Sequence, residues 1–255
     1  MAVSNLPRRT APGARYEGTY IFMKGYVCPV CDSKLSVPTV MTGKARMAKQ
    51  DWDLRPIFTD IDTIKYDVIH CNNCGYAVLK RYYGVLAKPH KEMLRKGIAE
   101  NYKPIPEAMR LYTYDEALTR FKLAMLNAEV RQAHESEKAL ISLKIAWLCR
   151  GAKEELGDPE SFNRPVKMKY DKYNEMEEKH LERAMELFLK ARSSETPPIA
   201  GMTETALDFL LAALCGHFDR IEEARRLVSG IIHSKQATNP QKEKAREMLA
   251  KMKKN

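Results

Sequence analysis

The chain has 255 residues, 44% of them hydrophobic, which is enough apolar material for one or two packed domains. Its longest apolar stretch, "ALDFLLAALC" at 206–215, is about half of the roughly 20 residues that a membrane-spanning helix needs, so no spanning segment is expected. The formal net charge is +10, and residues 1–100 hold 16 Lys+Arg against 9 Asp+Glu, which favours an anionic partner over a cationic one.

Residues 1–18 are polar and rich in Pro, Gly and Arg, and are expected to form a disordered tail. No apolar stretch follows the arginines, so they do not read as a secretory signal, and a cytoplasmic location is expected. Six cysteines in such a compartment stay reduced or bind metal.

Residues 19–88 form the second region. Short β-prone runs, "YIFMKGYV", "LSVPTVMT", "KYDVIH" and "YAVLKRYY", alternate with turn residues and with two cysteine pairs. The pairs are "CPVC" at Cys28 and Cys31 and "CNNCG" at Cys71 and Cys74. A C-x2-C turn places two sulfurs on one side of a tight knuckle, and two knuckles supply four thiolates to a tetrahedral Zn2+. Pro29 stiffens the first turn and Gly75 lets the backbone swing round the metal. The separation of the pairs is wider than usual, which implies an inserted hairpin or loop at about 41–62. A redox pair would need a βαβ setting that is missing here, whereas iron in a rubredoxin-like site remains the alternative to zinc. Four thiolates leave no open coordination position, so the metal is expected to be structural. His70 precedes Cys71 but should point the other way on a strand, and reads as a surface residue.

From residue 89 to 255 helical periodicity takes over. Helices are expected over about 113–130, 137–154, 170–192, 220–233 and 240–253, with a further apolar stripe from Leu207 to Phe218. "GDPESFNRP" and "SSETPPIAG" break the pattern. "LKIAWLC" at 143–149 repeats as "FLLAALC" at 209–215, with Cys149 over Cys215, and both cysteines read as core residues. The partner helices share the spacing A-x3-F-x2-A at Ala184, Phe188 and Ala191, with aliphatic residues at Val228 and Ile231 after Ala224. That spacing belongs to the second helix of a tetratricopeptide (TPR) unit. The first unit has a much longer connection than the second, so its turn is expanded or its second helix extended. Residues 113–130 and 240–253 are expected to cover the ends of the array. The fold class that follows is α+β: a small β-rich zinc ribbon, then an all-α domain of TPR-like hairpins.

The run "DWDLRPIFTDIDTIKYDVIHCNNCGYAVLKRYY" at 51–83 is the most distinctive in the chain. Together with "CPVC", "YDEALTRFKLAM", "LKIAWLCR" and "PIAGM" it resembles a bacterial domain-of-unknown-function family in which a zinc-ribbon-like segment precedes TPR-like helices. The resemblance covers about residues 20–250 and implies Cys28, Cys31, Cys71 and Cys74 as metal ligands. It also marks Asp51, Asp53, Arg55 and Pro56, which read as a polar site or, better, as a salt-bridged anchor that orders the insert against the helices. The family's second pair is usually CPxCGYA, whereas this chain has Asn72 in place of the proline.

A non-catalytic interaction protein is the first functional expectation. If the first helices of the two units line a groove for a protein partner, the groove residues are Leu143, Trp147 and Arg150 with Phe209, Ala213 and His217. The alternative is RNA or DNA bound by the basic region, through Lys44, Arg46, Lys49, Lys80, Arg81 and Lys88, with Lys91, Arg95 and Lys96 beyond them and Tyr82 and Tyr83 for stacking. No P-loop, G-x-G-x-x-G, G-x-S-x-G or H-E-x-x-H motif is present, so an enzyme is not expected.

Overall fold

The computed structural model describes residues 17–106 and 111–252. The expected tail lies outside the described residues as far as residue 16. Glu17 does not belong to it: a 3-10 turn over Glu17–Tyr20 places its carboxylate 2.7 Å from Lys65 Nζ, and the Tyr66 hydroxyl donates to it at 2.9 Å. Lys65 is buried, so it requires this counter-charge.

Among the described residues six strands form three separate antiparallel hairpins. Strand β1 (Ile21–Val27) pairs with β2 (Lys34–Val40), β3 (Met47–Gln50) with β4 (Pro56–Phe58), and β5 (Val68–His70) with β6 (Ala77–Leu79). The middle hairpin is the insert expected at 41–62. An isolated hairpin is marginal in water, so each one depends on what it packs against.

The ladder between β1 and β2 has a parity that its edges reveal. The Tyr83 hydroxyl donates to Val27 O at 2.7 Å and receives Val27 N–H at 3.3 Å, so the backbone of Val27 faces away from β2. Alternate residues share that orientation, which turns Gly25 and Met23 outward as well. Met23 sits opposite Pro38, at the kind of position where a missing N–H costs the ladder nothing. Pro38 O in turn points off the outer edge of β2 and accepts from Lys80 Nζ at 3.0 Å.

Helix α1 (Lys88–Gly97) packs on the cysteine-bearing hairpins, with Leu94 and Ile98 buried among Val30, Cys28 and Cys71. Helix α2 (Tyr114–Val130) opens with a capping box in which the Thr113 hydroxyl receives the Glu116 N–H and the Glu116 carboxylate receives the Thr113 N–H. It is followed by α3 (Glu135–Leu156), α4 (Arg164–Ser194), α5 (Glu204–His217), α6 (Ile221–His233) and α7 (Asn239–Met252), each packed on its predecessor. Helix α4 has 31 residues, so the longer first unit is accommodated mainly by extension of its second helix. Cys149 and Cys215 are fully buried, and burial pushes their thiols up to about 12 and about 11. Ile64, Val68, Ala77 and Leu79 enter the same apolar core as Phe121, Leu148 and Phe188, so the β-rich and helical parts share one core.

Candidate metal centre

Each cysteine pair occupies the loop of a hairpin, and the two loops are built alike. Cys28 N donates to Ser33 O and Asp32 N to Cys28 O; Cys71 N donates to Tyr76 O and Gly75 N to Cys71 O, all between 2.7 and 2.9 Å. The fourth residue after the first cysteine is left-handed in both, Asp32 at φ 61° and Gly75 at φ 74°. Gly75 cannot be replaced in kind, because a Cβ there would lie 2.3 Å from the Tyr102 ring.

The four sulfurs of Cys28, Cys31, Cys71 and Cys74 all lie within 4.8 Å of one another, and none is in a disulfide. Contacts of 3.6 Å join Cys28 to Cys74 and Cys31 to Cys71, interleaving the two knuckles. Sulfurs held at about 2.3 Å by a tetrahedral zinc stand about 3.8 Å apart, so spacing and donor type both fit a metal ion, with zinc the plausible one. Crowding alone splits the thiols. Hydrogen bonds from Cys28 and Cys74 drive Cys71 down to about 2, whereas the bond to Cys71 helps push Cys28 up to about 12, and Cys74 rises further. A bound cation removes that conflict by making all four thiolates, with release of protons.

Polar neighbours fix the sulfurs. Asn73 Nδ2 donates to Cys31 Sγ at 3.4 Å and to Ser33 Oγ at 3.1 Å. Arg95 on α1 donates twice to Val30 O at 3.3 Å, and Lys91 lies 3.7 Å from Asp32, so two cations brace the first knuckle. Asn72, the departure from the family's proline, receives Ile105 N–H and the Tyr102 hydroxyl at 2.9 Å and donates to Ile105 O at 3.0 Å. It therefore ties residues 102–105 to the second knuckle. The expected surface position of His70 is corrected here: Tyr102 covers it, Nε2 lies 2.9 Å from that hydroxyl, and burial lowers its pKa to about 4.

The expected groove is likewise corrected, because the insert of this same chain lies on it. Asp51 to Arg55 form the loop between β3 and β4, with Leu54 in a left-handed conformation at φ 67°. Asp53 is fully buried; its carboxylate receives the Trp147 indole N–H at 2.9 Å and two bonds from Arg150 at 2.9 and 3.0 Å. Arg150 also binds Asp51 at 2.9 Å and Glu177 at 2.7 Å. Burial alone would raise the Asp51 carboxyl, but the Trp52 amide and Arg150 hold it below its ordinary value. Arg55 forks onto Glu154 at 2.8 and 2.9 Å. The Trp52 ring stacks on His217 at 5.0 Å, and the Arg150 guanidinium lies 5.3 Å from the Trp52 centroid. Leu143 and Phe209 are buried as well, Phe209 beneath Lys244 of α7, and Ala213 is half-buried. Two sets of residues that the sequence presents as separate sites are thus one internal anchor. Glu154 and Glu177, which complete it, went unread, although Glu154 lies one helical turn beyond Arg150.

The basic set divides. Lys44, Arg46, Lys49 and Lys88 are exposed, and Arg81 lies over the Tyr82 ring. Lys80 leaves the set: its ammonium is spent on Pro38 O and Thr39 Oγ1, and burial lowers its pKa to about 8. Among the described residues no helix is long and apolar enough to cross a membrane.

A family model described as "Uncharacterized protein conserved in bacteria (DUF2225)" matches residues 21–252. No curated protein and no solved structure matches the chain significantly.

Proposed function

The chain belongs to the DUF2225 family of bacterial proteins, and from that premise we propose that it is a non-catalytic cytoplasmic interaction protein. A structural zinc ribbon braced on a TPR-like helical stack offers the free edge of β1 to an extended segment of a protein partner. The observation that carries this reading is the outward backbone at Met23 and Gly25. Tyr83 closes the edge at Val27 and Lys80 closes the far edge of β2 at Pro38, while no described residue pairs with the edge between. Phe22, Met23 and Val27 are exposed along the same strand. An open edge with apolar side chains is a liability that proteins normally cover, and a partner strand covers it with main-chain hydrogen bonds. Lys24 and the basic surroundings favour an acidic segment.

Gly25→Pro tests this selectively. It removes an N–H that points away from β2, and a Cβ at Gly25 meets nothing within 4 Å, so the hairpin is kept. Affinity purification from the native cell, with and without nuclease, should recover a protein partner with the parent chain and lose it with Gly25→Pro at unchanged metal content. Recovery unaffected by Gly25→Pro sinks the edge reading, and recovery abolished by nuclease transfers the function to the exposed Lys44, Arg46, Lys49 and Lys88.

A further inference from the structure

We propose that the cleft between β2 and the second knuckle binds a small ligand carrying an oxyanion, a phosphate or carboxylate group, with Arg120 as its charge partner. The cleft encloses about 820 Å³, within the range of about 300–1,000 Å³ typical of small-molecule sites. Lys34, Ser36, His70, Asn73 and Arg120 supply its polar wall, and Met23, Val37, Pro38 and Ile105 an apolar one. No carboxylate lines it among the described residues.

Arg120 singles this cleft out. Three cations are buried among the described residues: Arg55, Lys65 and Arg120, at 4, 5 and 6% exposure. Arg55 is paired with Glu154 and Lys65 with Glu17. Arg120 is joined to no carboxylate among the described residues. Its guanidinium lies 4.1 Å from the Tyr112 ring centroid, and its NH1 donates to Glu116 O at 2.8 Å. One neutral carbonyl and one ring face do not balance a charge withdrawn from water, since buried arginine is rarely found without an anion. The unused N–H groups of a guanidinium form a fork that matches the two oxygens of a carboxylate or phosphate.

The wall opposite is rigid before any ligand arrives. The Tyr102 hydroxyl gives its proton to Asn72 Oδ1, so the His70 Nε2–H donates to Tyr102, and Asn72 is held in turn by both backbone groups of Ile105. Their donors are thereby spent, so this wall fixes the shape of the cleft and leaves the hydrogen bonds to the anion to Arg120 and Lys34. Lys34, exposed at the start of β2, adds a second positive charge at the cleft.

The experiment uses the zinc-loaded full chain and three probes: inorganic phosphate, adenosine monophosphate and citrate, titrated calorimetrically at low salt. At least one should bind with a dissociation constant below about 1 mM, and Arg120→Lys, which keeps the charge but loses the fork, should weaken it by roughly tenfold or more. Lys34→Gln should weaken the same probe by a smaller factor at unchanged zinc content, and it decides the matter alone if Arg120→Lys does not fold. The proposal is overturned if none of the probes binds the folded parent chain, or if a bound probe is indifferent to the variants that fold.

Discussion

The cysteine cluster and the insert anchor both tie together segments far apart in the chain, yet they do so by opposite means. Cys28 meets Cys74 across 46 residues, and Asp53 meets Trp147 across 94. The cluster gathers four like groups that repel one another once ionised, a conflict that a bound cation would remove. The anchor brings its own counter-charges: Arg150 is shared by Asp51, Asp53 and Glu177, and Trp147 closes the last lone pair of Asp53. One region is therefore sensitive to metal and thiol chemistry, the other to the loss of any single buried partner.

Removing the metal is expected to produce the largest effect. Structural zinc sites contribute on the order of 10 kcal/mol, so a strong chelator, or Cys28→Ser, should unfold the β1–β2 and β5–β6 knuckles. Helices α2 to α7 should remain, because most of the core that they share with Val68, Ala77 and Leu79, including Phe121, Leu148, Phe188 and Leu210, lies between the helices themselves. Circular dichroism that stays helical while the cluster thiols become reactive, four after chelation and three in Cys28→Ser, is the expected result; loss of the helical signal at the same time would show that the cluster supports the entire fold.

Asp53→Ala comes next. It strands the Arg150 guanidinium and the Trp147 indole N–H, and breaking such a buried pair costs about 3–5 kcal/mol, with Trp147→Ala in a similar range. Because both changes dismantle one network, the double variant should cost clearly less than their sum in chemical denaturation. Additive losses would mean that insert and helix do not act together.

Acid separates the two regions without mutation. The chain has two tryptophans, Trp52 and Trp147, and both belong to the anchor, so their fluorescence reports it alone. Protons compete with zinc for the thiolates, and the metal should leave first as pH falls. The Asp51 carboxyl is held below its ordinary value, so its contribution is full above that value and disappears only as pH falls through the lower, folded one. Zinc release should thus precede the fluorescence change; the reverse order would place the weaker link in the anchor.

The same contrast explains what was legible in the sequence. Four cysteines in two C-x2-C turns carry their chemistry and their partners in their spacing, and the structure brings them together. The repeat of Cys149 and Cys215 was equally plain, because burial of a helix stripe is a local pattern. Asp51, Asp53 and Arg55 announced an anchor, but nothing local names a partner almost a hundred residues away. Trp147 and Arg150 consequently looked like an open groove, whereas they are the floor on which the insert rests. Helix α1 was hidden for another reason: "KPHKEMLRKG" buries only Leu94 within the helix, and its role comes from Arg95 and Lys91 reaching the first knuckle. His70 and Lys80 failed as surface residues because distant segments cover them, Tyr102 in one case and strand β2 in the other.

Trp52→Ala should have the smallest effect, and it sharpens the comparison most finely. Trp52 is 43% exposed, resting on His217 and under the Arg150 guanidinium, while Asp53 beside it is fully buried. An exposed ring on a cation contributes about 0.5–1 kcal/mol, far below the buried charge next to it. If thermal unfolding moves no more than that, the anchor is held from beneath by Asp53 and Trp52 is a cover over it. A loss equal to that of Asp53→Ala would instead make the stack on His217 the true clamp between the insert and α5, and would shift the weight of the network from charge to ring packing.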